Sequence, residues 1–119
     1  MFGDFAHAMT VQAARLQTKG ITDWESFHSV FADTMGFPGF YGRNQDARID
    51  CMSYLDDPDA GMTRQTVAPG ELFHLAVSDA QDFQHRLPEI FRAFIECAAI
   101  VNRRRTDRGE PPILSLILM

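Results

Sequence analysis

Trp24, Phe27, Val30, Phe31 and Thr34 recur at the spacing of one helical face, and the pattern predicts a helix over about 23–35. Ahead of it, Thr22-Asp23-Trp24-Glu25 has the form of a capping box, with Thr22 as N-cap and Glu25 at N3. Gly36 ends this helix and Pro38 keeps it from resuming. A second helix is expected from an Asn44 N-cap to about Leu55. Its inward face is Ala47, Cys51, Tyr54 and Leu55; Asp46, Ile49, Asp50 and Ser53 lie opposite. Leu72 to Val77 reads as a strand, after which Ser78 or Asp79 caps a further helix. Pro88 breaks that helix and starts another, whose apolar stripe is Ile90, Phe91, Phe94, Ile95, Ala98 and Val101. An arginine cluster ends it, and Gly109 with Pro111-Pro112 closes it.

Three stretches fit this pattern less simply. Val11 to Gln17 suits a first strand or the end of a helix, and Ala13, Ala14 and Leu16 leave both open. Asp56 to Gly70 is polar and rich in turn formers, the expected flexible insertion. Ile113 to Met119 is an unbroken apolar run of strand length, which predicts a central strand buried on both faces. Strands joined through helices imply an α/β fold with a small parallel sheet covered by helices, the last strand in its middle.

At 119 residues the chain fits one domain with a core of its own. No apolar run is long enough to span a bilayer, and Met1 to Thr10 lacks the early basic residues and apolar centre of a signal peptide. Cys51 and Cys97 make neither a metal-ligand spacing nor a disulfide framework. Each sits in an apolar helical pattern as a small hydrophobe, which suits a reducing, cytoplasmic setting.

Charge is distributed unevenly. The net charge is −5, with five aspartates between Asn44 and Asp59 (Asp46, Asp50, Asp56, Asp57, Asp59) against Arg48 alone. Arg103, Arg104, Arg105 and Arg108 gather near the other end of the chain. An acidic lobe argues against nucleic acid as the ligand of that face, since phosphate binding runs on Lys and Arg. It suits a basic protein partner, and equally a solvated acidic loop.

Within the lobe, the Pro/Gly loop Phe37 to Arg43 carries Phe40 and Tyr41 into a helix bearing Asp46 and Asp50, four residues apart on one face. Ile49, a bulky apolar residue among acids, fits packing on a neighbouring element or the apolar centre of a contact patch. Catalysis finds no support. His7, His28, His74 and His85 have no metal-site spacing, and the chain has no phosphate loop or nucleophile elbow. Nothing near Asp46 or Asp50 in the sequence supplies the raised pKa of a general acid. No enzyme, cofactor or metal site is expected.

The run Phe40-Tyr41-Gly42-Arg43-Asn44-Gln45-Asp46-Ala47, followed by Asp50-Cys51, resembles the barstar family of intracellular ribonuclease inhibitors. The shared pattern is an aromatic pair, Gly, any residue, Asn, any residue, Asp-Ala, and then Asp-Cys. The preceding Phe37-Pro38 supports it, and element order extends the likeness over a single domain at 11–119, leaving 1–10 as an N-terminal extension.

The resemblance implies a three-stranded parallel sheet flanked by helices, and a loop–helix surface that masks the cationic active site of a ribonuclease or RNase-type toxin. The implied contacts are Phe40, Tyr41, Gly42, Asn44, Asp46, Ile49 and Asp50. Asp50 would be the central anion, Asp46 the second charged contact, Gly42 a close backbone approach, and Asn44 a loop-shaping or partner-bonding group. Phe40 stands at a stacking position without the hydroxyl. Several residues depart from the family: Ile49 replaces a frequent tryptophan, Arg43 an acid, Arg48 adds a cation between the aspartates, and Arg103 to Arg105 stand where a glutamate is expected. If those arginines face the helix they would repel a basic nuclease. The expected partner is thus a basic nuclease or toxin, or else a different, non-nuclease protein. The protein itself is expected to be a monomer or weak dimer.

Overall fold

The computed structural model describes residues 13–119. The expected 1–10 extension, and Val11 and Gln12 at the start of the open first element, lie outside the described residues. From Ala13 onward that element is a strand, β1 (Ala14–Leu16). Its alternation decides the matter: Leu16 is fully buried while Arg15 is exposed, and the Ala13 N–H donates to the His74 carbonyl at 2.8 Å.

Helix α1 (Trp24–Met35) starts on a cap one residue later than expected. Asp23 is the N-cap: its Oδ1 accepts from the Ser26 N–H at 2.8 Å, while Ser26 Oγ accepts from the Asp23 N–H at 3.0 Å. The backbone hydrogen bond from Ser26 holds the Asp23 carboxyl below its ordinary pKa. Because the box closes on Ser26, Glu25 remains free to meet Arg43. Gly36 ends α1 at φ +71°, where a Cβ would come within 2.6 Å of the Arg64 side chain, so this glycine is required by both conformation and space.

Helix α2 (Gln45–Met52) begins as expected, with Asn44 Oδ1 accepting the Ala47 N–H at 2.8 Å. It stops at Met52 rather than Leu55, since Ser53 and Tyr54 turn off and Tyr54 is 42% exposed instead of facing inward. Asn44→Ala is expected to lower stability by about 1 kcal/mol. The check is a shift of the urea midpoint at unchanged slope.

The segment between α2 and the next strand holds a single 3₁₀ turn at Pro58–Ala60. It is tied down at both helix ends: the Arg64 N–H donates to the Met35 carbonyl at 3.1 Å and the Val67 N–H to the Leu55 carbonyl at 2.9 Å. Strand β2 (Phe73–Val77) then leads into α3 (Ala80–Arg86), α4 (Pro88–Asp107) and β3 (Leu114–Leu118). Neither expected residue caps α3. Asp79 occupies the cap position at φ +48° with no side-chain cap bond, and Ser78 Oγ donates instead to the Leu16 carbonyl at 3.0 Å. Pro88 does stand at the first position of α4.

The sheet is parallel with order β1-β2-β3, pairing Leu16 with Val77 and Phe73 with Leu114. The last strand is therefore at an edge, and the expectation of a central position fails. Successive helical crossovers step the chain one way across the sheet, so β2 takes the middle with Phe73, Leu75, Ala76 and Val77 all fully buried. In β3 the apolar run buries only its beginning; Leu118 is 51% exposed. One core joins this sheet to all four described helices through Phe27 and Phe31, Ile49 and Met52, Phe83, and Phe94 with Val101. The result is an α/β domain built on a three-stranded parallel sheet.

Candidate functional site

The loop between α1 and α2 is held from both ends. The residue carrying its left-handed turn is Arg43 (φ +55°), not a glycine. Three acceptors on α1 hold its guanidinium: the Glu25 carbonyl at 2.9 Å, Glu25 Oε1 at 2.6 Å and Ser29 Oγ at 3.0 Å. Arg43 thus turns back onto α1. The tripod of contacts offsets the conformational cost of the turn. Beyond it, Asn44 also donates from Nδ2 to the Gly42 carbonyl at 3.3 Å, joining the loop to the start of α2.

This frame places Phe40, Gly42, Asn44, Asp46 and Asp50 at the surface. Phe40 is 76% exposed, a large apolar ring held in solvent. Asp50 stands between two hollows. One, of about 170 Å³, is lined by Phe40, Tyr41, Gly42, Ala47, Cys51 and Met62; the other, of about 150 Å³, by Ser53, Tyr54, Arg104 and Arg108. Asp50 borders both, so it lies where an apolar notch meets a polar one.

Two expected contacts are buried rather than exposed. Ile49 is 2% exposed and belongs to the core, so its packing reading holds and its contact reading fails. The helix ends early and leans on α4, which brings Ile49 inward with Met52. Tyr41 is 9% exposed, with its ring against Phe37 and its hydroxyl 3.2 Å from His28 Nδ1. Burial raises the Tyr41 pKa, opposed by the hydrogen bond from Arg48. Tyr41 supports the loop from beneath and gives the notch one wall.

Arg48 does not stand between the two aspartates at the surface. It is fully buried, its guanidinium carbon 4.8 Å from the centre of the Phe27 ring. Nη1 lies 3.4 Å from Tyr41 Oη and 3.5 Å from His28 Nδ1, and Nη2 donates to Gln45 Oε1. Gln45 Nε2 in turn donates to the Ala93 carbonyl of α4 at 3.1 Å. Among the described residues no carboxylate pairs with Arg48, and its Nε has no acceptor. The pKa of His28 is lowered, by burial first and then by the Arg48 and Arg43 charges, against the opposing pull of Glu25.

The arginine cluster divides. Arg105 is 5% exposed and turned into the fold, where Nη2 meets Asp56 Oδ2 at 2.8 Å and Glu110 Oε2 at 3.3 Å. Arg104 points at the site, its Nη1 3.5 Å from Asp50 Oδ1. Arg103 is exposed, and Arg108 pairs with Glu110 at 3.2 Å. Arg104, Arg108, Tyr54 and Met62 were not among the residues read as site candidates. Extending the α4 stripe Phe94, Ala98, Val101 by another four residues reaches Arg105, which was the available sign that this arginine turns inward and its neighbours outward. No pattern marks Met62, which arrives from the segment after α2.

Thiol chemistry does not fit the site. Cys51 and Cys97 are free and buried; burial, with Asp50 nearby, pushes the Cys51 thiol up to about 11. Burial likewise raises Cys97, against the lowering effect of Arg48. No helix among the described residues is long and apolar enough to cross a membrane.

The site is thus an acidic helix beside an exposed aromatic loop, on a small parallel α/β scaffold. The profile of the family described as Barstar (barnase inhibitor) matches residues 11–117. The chain belongs to that family, which is an inhibitor family. None of the curated proteins matches it.

Proposed function

We propose that this protein binds and masks the cationic active site of a ribonuclease or RNase-type toxin, with no chemistry of its own. Family membership supports the class of partner. The observation that carries the assignment to this face is Asp50, exposed between an apolar notch and a polar one, on a helix whose start is pinned by Asn44. Phe40 supplies the apolar contact, Gly42 the close backbone, and Asp46 the second anion. An acidic face also speeds the approach of a basic protein by steering. The two free, buried cysteines suit a reducing cytoplasm, and a monomer or weak dimer leaves the face open.

The test is cleavage of a fluorogenic RNA by barnase with rising amounts of the protein. Cleavage should fall with the wild type and recover with an Asp46→Ala/Asp50→Ala double variant. Undiminished cleavage at large excess removes the barnase-type reading. Arg104 beside Asp50 favours a second reading, a barstar-like module with a non-nuclease protein partner. Repeated recovery of such a protein by the wild type, lost with the double variant, would establish it.

A further inference from the structure

Around Asp50 the exposed charges are of both signs. Arg104 reaches it from α4 at 3.5 Å, a long pair between side chains that are 53% and 63% exposed. Arg108 borders the same hollow at 60% exposure, sharing Glu110 at 3.2 Å. One turn before Asp50, Asp46 is exposed and makes no ion pair among the described residues. Tyr54, 42% exposed, stands beside the two arginines.

We propose that Asp46 and Asp50 on α2, with Arg104 and Arg108 on and just after α4, form one mixed-charge docking face whose protein partner brings a carboxylate beside its cation. A partner offering cations alone must take Asp50 from Arg104 and leave two cations facing each other. That repulsion grows as the interface excludes water and lowers the local dielectric. A partner that also offers a carboxylate avoids it. Its cation takes Asp50 while its acid takes Arg104, so one weak internal pair is exchanged for two across the interface. Arg104 is thus the repulsive element that discriminates between partners, and Asp50 the attractive one. Arg105, buried on Asp56 and Glu110, takes no part.

The inference rests on reading this face as a protein-docking surface, not on the partner being a nuclease. It is tested by NMR titration at low salt with two capped peptides of equal length, one alternating Arg with Gly and one alternating Arg with Glu. The protein is compared as wild type, as Arg104→Ala, and as Arg92→Ala, an exposed α4 position whose loss changes net charge equally. Relative to Arg92→Ala, Arg104→Ala should bind the Arg/Glu peptide more weakly, by up to about fivefold, the upper end for an exposed pair, and the Arg/Gly peptide more tightly. A common response to both peptides would overturn the inference, as would an absence of shifts along α2. Opposite responses without inhibition of barnase sink only the barnase-type reading; inhibition with a common response sinks only this one.

Discussion

Asp50→Ala should leave the protein folded and weaken binding to its partner by at least about 2 kcal/mol, roughly 30-fold in Kd. The two halves of that expectation have different origins. The fold loses little because the side chain is 63% exposed and its pair with Arg104 is long and solvated. Such pairs contribute about 0–1 kcal/mol. Binding loses much because Asp50 alone borders both hollows, so a bound partner would bury it on two sides and exclude water. Calorimetry against barnase, or against a captured partner, gives the affinity, and urea unfolding gives the stability. An unchanged affinity would mean that the face is not used.

The frame was legible where a local pattern decides structure. Asn44 capped α2, Gly36 stopped α1, and Pro88 opened α4, each because one backbone requirement selects one residue type. The acidic pair was visible for the same reason, since helical spacing alone puts Asp46 and Asp50 together. What depended on tertiary placement was not visible. The apolar run of β3 has the content of a central strand, but which strand lies between the others is settled by the crossovers. Ile49 and Arg48 show the limit most clearly. With only eight residues in α2 and both acids at the surface, the neighbouring helices decide the rest; Ile49 turns into the core and Arg48 onto Phe27 and His28 of α1, a cation where an apolar residue would be expected. The departure at Arg104 was visible as a residue, but its meaning required seeing that it faces Asp50 while Arg105 does not.

The buried guanidinium leads to the other large effect. Arg48→Met is expected to raise stability, by no more than the about 1–4 kcal/mol gained when a buried ion pair is replaced by apolar groups of similar volume. Several contacts oppose that outcome. The Phe27 ring contributes about 2 kcal/mol to a desolvated cation, and hydrogen bonds to a charged group about 1.5–3 kcal/mol each. Against these stands the desolvation of a full charge, several kcal/mol after relaxation, with no carboxylate among the described residues to offset it and Nε left without an acceptor. Two of the three hydrogen-bonding distances, 3.4 and 3.5 Å, are too long to contribute that range, which leaves the ring and the Gln45 bond against the desolvation cost, and the desolvation cost wins. Urea unfolding decides it, and a destabilised Arg48→Met would reverse the ranking. The pH dependence should change with it. The pKa of His28 is lowered on folding, so the unfolded chain binds that proton more readily. Its contribution is therefore complete above about pH 6.5, the unfolded value, and is lost as pH falls below it until folded His28 is also protonated. Burial, the larger cause, remains in Arg48→Met while the adjacent positive charge is gone. The acid-side loss of stability should accordingly become shallower without vanishing. An unchanged slope would mean that Arg48 does not act on His28 at all.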